Sequence, residues 1–393
     1  MNRPIAPWPQ YAADEIEAVV RILKSGKVNY WTGDECRQFE KEYAEASGCL
    51  HAVAVMNGTV ALELALHALG IPPGSEIITT PRTFFASASC IVAHGCTPVF
   101  ADVDADSGNI TAETIARVIT PRTSAIIAVH LAGWPCEMDP IMELADKHGL
   151  RVIEDCAQAN GATYHGRPVG CLGHAAAFSF CQDKIITTGG EGGMLTTNDE
   201  ATWRRAWEFK DHGKSWDAVY NRQHPLGFRW LHESFGTNWR MTEIQAAIGR
   251  IQLQKLPAWT RLRQDNMNLL FNALCGHPAV RIPRPGPGLG HAAYKAYIYL
   301  QPNHIKPNLS RDRLMTEITA QGIPCFSGSC SEIYLEKAFA TPGSHLERLP
   351  VAKKLGETSL MFLVHPGLTQ AAMDSTIVTT RSILDKALEF ARA

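Results

Sequence analysis

One lysine in this chain stands where covalent chemistry could be done. Lys184 follows an apolar run, Ala175 to Phe180, and precedes two threonines and a glycine-rich tail around Glu191, in the stretch FSFCQDKIITTGGEGG from Phe178 to Gly193. Strands that end in Gly-rich turns put side chains at the carboxyl edge of a parallel sheet, where open α/β folds bind ligands. An amine partly desolvated there loses some of its preference for the ammonium form and becomes a nucleophile. The glycines let backbone N–H groups crowd near an anion or against the next strand, Met194 to Thr197. A lysine taken alone is far more often a solvated surface charge, so the case rests on its neighbours.

Other segments end in the same way. Val152 to Gln158 (VIEDCAQ) reads as an apolar strand delivering the carboxylate of Asp155, with Gln158 just beyond, and Ser179 puts a hydroxyl on the lysine's own strand. Val53 to Met56 runs into Asn57-Gly58-Thr59 and then a helix, Val60 to Leu69. Free N–H groups at a helix start bind phosphate, and glycine permits close approach. Thr83-Phe84-Phe85 follows the strand Glu76 to Thr80, and an aromatic so placed can stack on a flat heterocycle. The strand Ser124 to Val129 ends in His130, equally suited to a structural role or to touching ligand. Tyr30 and Trp31 form an aromatic pair in the loop Val28 to Gly33, either as packing anchors or as substrate contacts.

Strands and helices alternate from Val53 to Thr197, which predicts a mostly parallel sheet covered on both faces. A helix is expected over Asp14 to Leu23, and another over Phe39 to Ser47. A polar, aromatic loop spans Asp211 to Phe235, of the length that in compact domains is functional or interfacial. The pattern predicts a helix from Thr242 to Leu256, a break or kink at Pro257 and a second helix from Trp259 to Leu274. The expected division is therefore an N-terminal arm with a large domain over 1–256, and a small α+β domain over 257–393.

Bulk properties narrow the function. A chain of 393 residues can bury a substantial core, and 45% hydrophobic with 19% charged residues is ordinary for a globular protein. The formal charge of −2 argues against nucleic acid or anionic membrane as partner. No apolar run approaches a membrane span, and MNRPIAPWPQ lacks a signal-peptide core. Eleven cysteines without a C-x-x-C pair are read as reduced core residues of a cytoplasmic protein. No metal site is expected. Asp102, Asp104 and Asp106 approach the spacing of a calcium loop, but Ser107 replaces the glycine of its sharp turn.

Together, Asn57-Gly58-Thr59, Thr83-Phe84, Glu154 to Gln158, Ser179 with Lys184 and its glycines, and Gly236-Thr237-Asn238-Trp239-Arg240-Met241 resemble the DegT/DnrJ/EryC1/StrS family of sugar aminotransferases. The resemblance runs from about Ile16 to about Pro366. It implies the fold type I architecture of aspartate aminotransferase and pyridoxal 5′-phosphate as cofactor. It further implies that Lys184 carries the cofactor and then moves protons, and that Asp155 pairs with the pyridine nitrogen. Phe84 would stack on the ring, Gln158 would reach the ring or its phenolic oxygen, and Gly58, Thr59 and Ser179 would hold the phosphate. Asn238 would reach the cofactor of the neighbouring subunit in a homodimer with shared sites, with Arg240 close by. Tyr30, Trp31, His130 and Arg240 are the expected substrate contacts. The implied reaction moves an amino group from an amino acid, L-glutamate first, to a nucleotide-linked 4-keto-6-deoxy sugar, with a UDP-linked N-acetylated sugar ahead of a GDP-linked one, in surface-polysaccharide or O-antigen synthesis. Sugar dehydration or deoxygenation on the same cofactor, and cofactor binding without turnover, are the alternatives. The chain departs from the family pattern in an extra glycine at Gly189-Gly190 and in lacking the usual proline/histidine pattern around Cys325 to Ser331.

Overall fold

A computed structural model describes residues 5–340 and 347–388. Its centre is a seven-stranded sheet made of β1 (His51–Val55), β2 (Glu76–Thr79), β3 (Thr97–Phe100), β4 (Thr123–Val129), β5 (Arg151–Asp155), β8 (Ala175–Ser179) and β9 (Gly193–Thr197). A small ribbon, β6 (Thr163–Tyr164) and β7 (Arg167–Pro168), intervenes in the chain and pairs with β11 (Leu289–Gly290). The spatial order is β1-β9-β8-β5-β4-β2-β3. Only β9 runs against its neighbours, pairing antiparallel with both β1 and β8. Along β4, Ile126 and Ala128 enter one core while Ala125, Ile127 and Val129 enter another. That period of two is what a sheet buried on both faces requires, and it explains the near-continuous apolar runs.

Helices α1 (Ala13–Ser25), α2 (Glu35–Ala46), α3 (Gly58–Ala68) and α4 (Ala86–Ala93) belong to this layer, as do α5 (Ala112–Ala116), α6 (Met138–His148) and α7 (Glu200–Lys210). The expected loop from Asp211 contains one further short helix, α8 (Trp216–Tyr220), whose Trp216 meets Trp203 and Trp207 edge-on. Beyond it Leu226, Phe228, Trp230 and Phe235 are all exposed.

The expected break at Pro257 is absent. One 32-residue helix, α9 (Glu243–Leu274), continues through it, started by a capping box between Thr242 and Gln245. An interior proline costs a helix about 3 kcal/mol. Here α1 and α2 pack on one half, and Leu270, Phe271 and Leu274 are buried on the other. Burial of a large apolar side chain stabilises by about 1.5–3 kcal/mol each, so packing outweighs the lost backbone bond. The helix leads to a second sheet of β10 (Val280–Arg281), β12 (Ala296–Leu300), β13 (Cys325–Phe326) and β14 (Ser359–Phe362), all antiparallel, with its own core. Among the described residues no helix is long and apolar enough to cross a membrane.

Candidate active site

The carboxyl ends of β1, β2, β5 and β8 face a cavity of about 820 Å³ whose far wall comes from the second sheet and the loops beside it. Lys184 enters it from the hairpin between β8 and β9. Its side chain is 15% exposed, with Nζ 3.9 Å from Asp183 Oδ1 and 5.0 Å from the centre of the Tyr294 ring. The Tyr294 hydroxyl donates to Asp183, and the Trp8 indole donates to the Lys184 carbonyl at 2.8 Å. Burial works against the charge on Asp183, but Lys184 and the Tyr294 hydrogen bond hold its carboxyl below the usual range. The extra glycines serve the hairpin: Gly189 and Gly190 adopt φ of 82° and 123°, which L side chains avoid.

Asp155 lies at the end of β5 and is 4% exposed. Ser87 on α4 donates to its Oδ2 at 2.7 Å and the amide of Ala157 to its Oδ1 at 3.1 Å. Burial nevertheless pushes its carboxyl above the ordinary value. A buried carboxylate in that state is stabilised by a cation that approaches it, and a protonated pyridine nitrogen is such a cation.

At the start of α3, Asn57 caps the amide of Val60 at 2.9 Å. A helix cannot satisfy the first amides internally, and Gly58 and Thr59 both line the cavity. A Cβ on Gly58 would come within 2.6 Å of Ser179 Cβ, so only glycine lets the helix start sit against that hydroxyl. Amides, helix dipole and hydroxyl converge as a phosphate cradle. Phe84 lines the cavity with 69% exposure and so has a free face, whereas Phe85 packs on Phe339 at 5.5 Å. Gln158 also lines it and accepts the amide of Ala132 at 2.8 Å. An acid for the ring nitrogen, an aromatic for its face, a cradle for the phosphate and an amine for the aldehyde fit pyridoxal phosphate.

Four expected substrate contacts lie elsewhere. Tyr30 is 2% exposed, with Trp207 donating to its hydroxyl and the Lys210 ammonium 3.5 Å from its ring centre, so it is a packing anchor and not a substrate contact. His130 is fully buried: Nε2 is 3.0 Å from Glu154 and Nδ1 accepts the amide of Cys136, so it braces the sheet edge and stands outside the cavity lining. The same bonds, with three further amides on Glu154, occupy the one His130–Glu154–Cys156 cluster that has metal-ligand spacing among the described residues. Trp31 and Arg240 both bond Asp211, at 3.3 and 2.8 Å, outside this chain's cavity. Although burial opposes it, Lys210, Lys214 and Arg240 hold Asp211 below its usual range. Asp211 pairs with the backbone of Asn238, which is exposed and also stands off this cavity.

Several residues were not singled out in advance. Ser87, Tyr294 and Lys295 line the cavity, and so do Gly328, Ser329 and Cys330 from the segment whose family pattern is missing. That segment is clasped to the Phe84 loop: Thr83 donates to the Cys330 carbonyl at 3.1 Å and Ile333 to that of Pro81 at 3.0 Å. The buried Arg82 beneath it donates to Ser331 and lies 5.2 Å from the Tyr297 ring centre. The small residues of Ser327–Ser331 carry no such signal in the sequence.

Comparison with known proteins agrees with this geometry. An aminotransferase structure from Psychrobacter cryohalolentis superposes with a TM-score of 0.96 at 56% identity, covering 98% of this chain and all of that one. GDP-perosamine synthase of Caulobacter vibrioides is 37% identical over 88% of this chain and 89% of its own. A UDP-N-acetyl-3-dehydro-α-D-glucosamine 3-aminotransferase of Acidithiobacillus ferrooxidans is 37% identical over 88% of each. The model of the DegT/DnrJ/EryC1/StrS aminotransferase family matches residues 9–380. The buried acid, the helix start and the lysine hairpin gathered on one sheet edge are thus the candidate cofactor site, and the chain belongs to the DegT/DnrJ/EryC1/StrS family of pyridoxal-phosphate-dependent aminotransferases.

Proposed function

We propose that the enzyme aminates a nucleotide-linked 4-keto-6-deoxy sugar, UDP-linked and N-acetylated in the first instance and GDP-linked in the second, with L-glutamate as donor. The product would feed surface-polysaccharide or O-antigen synthesis, and the enzyme would work as a cytoplasmic homodimer. The observation that carries this reading is the cavity itself. About 820 Å³ opens above Lys184 and is walled by elements of both sheets, a size at the upper part of the range for ligand sites and more than an amino acid donor occupies. Two relatives named for GDP- and UDP-linked sugars support the substrate class.

Bound pyridoxal phosphate supplies an electron sink for a carbanion. The side chains of this protein would do the rest. Asp155, kept dry and oriented by Ser87, would hold the ring nitrogen protonated. Gly58, Thr59 and Ser179 would fix the phosphate and so the ring's position. Lys184 would carry the cofactor at rest and, once displaced by the donor, move a proton between the donor's α-carbon and C4′.

Purified holoprotein is expected to be yellow, to bleach with L-glutamate, and to regain colour on adding the UDP-linked 4-keto-6-deoxy N-acetylated sugar. Absence of recovery with any member of a panel of UDP-, GDP- and dTDP-linked 3-keto and 4-keto sugars would overturn the substrate assignment. Shared sites make a separate prediction. Asn238 is exposed and off its own cavity, so Lys184→Ala and Asn238→Ala proteins, each impaired alone, should regain activity when mixed and refolded together. Mixtures no more active than the sum of the two would count against Asn238 acting across subunits.

A further inference from the structure

Beside the main cavity lies a smaller one of about 180 Å³, with Asp183 and Tyr294 between the two. It is lined by Trp8, Arg263 and His365 and shares Asp183, Tyr294 and Lys295 with the large cavity. Arg263, inside α9, is 1% exposed and His365 4% exposed. Among the described residues, Nε and Nη2 of Arg263 and both ring nitrogens of His365 find no hydrogen-bond partner. Arg263 has only a long bond from Nη1 to the Tyr294 carbonyl at 3.4 Å and the Trp8 ring at 4.9 Å. Trp8 in turn stacks on His365 at 5.8 Å between ring centres. Lys295 stands 4.7 Å from the Tyr294 ring centre.

A guanidinium keeps its charge in a protein, and leaving one buried without a counter-ion costs several kcal/mol. Among the described residues Asp183 is the one acid in the lining, and it already answers Lys184 and the Tyr294 hydroxyl. The remaining donors are therefore in excess. Titration directions agree: burial lowers Lys295 to about 8, and burial with the charges of Arg263 and Lys295 lowers His365 to about 4. We propose that Arg263, Lys295 and His365 form a buried anion subsite that takes one small carboxylate or an oxyanion of similar size. The volume corresponds to about six waters at about 30 Å³ each, which suits a carboxylate or inorganic anion and excludes a nucleotide. The donor's distal carboxylate, reaching past Lys295 from the main cavity, and a free anion share this chemistry. Only the donor source rests on the aminotransferase reading above.

The test uses full-length holoenzyme at constant ionic strength, titrated with glutarate (an unreactive dicarboxylate), acetate, phosphate and chloride while Tm is followed. The KM for L-glutamate is measured in parallel. A saturable rise in Tm is expected, lost in Arg263→Gln and Lys295→Met and kept in Lys147→Met, an exposed control. Lys295 is only partly buried, so its variant carries the test if Arg263→Gln fails to fold. A response to glutarate alone, with KM for L-glutamate raised about tenfold or more as for a lost charge-assisted hydrogen bond, assigns the site to the donor. An equal response to phosphate or chloride with KM unchanged assigns it to a free anion. No saturable response to any probe, or the same response in both variants, would overturn the subsite. The yellow colour from Lys184 should persist in both variants, so loss of the anion effect is separable from loss of the cofactor site.

Discussion

Lys184→Ala protein is expected to lose about 10⁴-fold in kcat, the upper range for removing a proton-transferring group, while still binding cofactor. Nothing else on the hairpin can replace the amine. Asp183 is an acid that accepts from Tyr294, and Lys295, the other amine in the lining, stands on a different segment of the chain. The phosphate cradle proposed at Gly58, Thr59 and Ser179 does not include Lys184, so affinity should fall less than turnover. Borohydride treatment followed by mass measurement should find cofactor attached to the wild-type chain and none on the variant. Lys184→Arg should match the alanine variant, because it keeps charge without a usable nucleophile. A variant turning over at the wild-type rate would remove the catalytic assignment.

Asp155→Asn should lower kcat by about 10²–10³-fold, the range for losing one preorganised electrostatic partner, and should also change how stability depends on the cofactor. In the cofactor-free chain burial raises the Asp155 carboxyl above 3.8. Between the unfolded and folded values the native state therefore holds the extra proton. The linked stability is fully present below about pH 3.8 and is lost as pH climbs through the raised value. At neutral pH the cofactor-free Asp155→Asn protein is thus expected to melt above cofactor-free wild type. With pyridoxal phosphate bound the ionised acid gains its cation, and the order should reverse. Thermal melts of both proteins with and without cofactor check the sign, and an unchanged order would show that Asp155 does not face the ring nitrogen.

The strand-end residues were legible because their elements are local. Apolar runs stopping at Asp155, Ser179 and Asn57 identify one sheet edge once the strands are taken as parallel. Tyr30 and His130 looked equally well placed in the sequence. Their fate was set by partners far along the chain, such as Trp207 for Tyr30, and by Glu154 with the Cys136 amide for His130. Pro257 misled because local propensity was outweighed by packing of α1 and α2 on α9. The wall beside the second sheet was hidden for another reason: Gly328, Ser329 and Cys330 carry no chemistry of their own and reach the site only through backbone clasps to Pro81 and Thr83. Arg263, Lys295 and His365 come from three separate segments that converge only in the folded chain.

The reversed strand β9 has a bearing on repeated turnover. Because Ser179 pairs directly with Gly193, the segment bearing Lys184 leaves and rejoins the sheet at adjacent rungs. In the proposed reaction the lysine tip would swing away and come back in each cycle. With both feet of its arch held on one floor, the tip has a single home to return to.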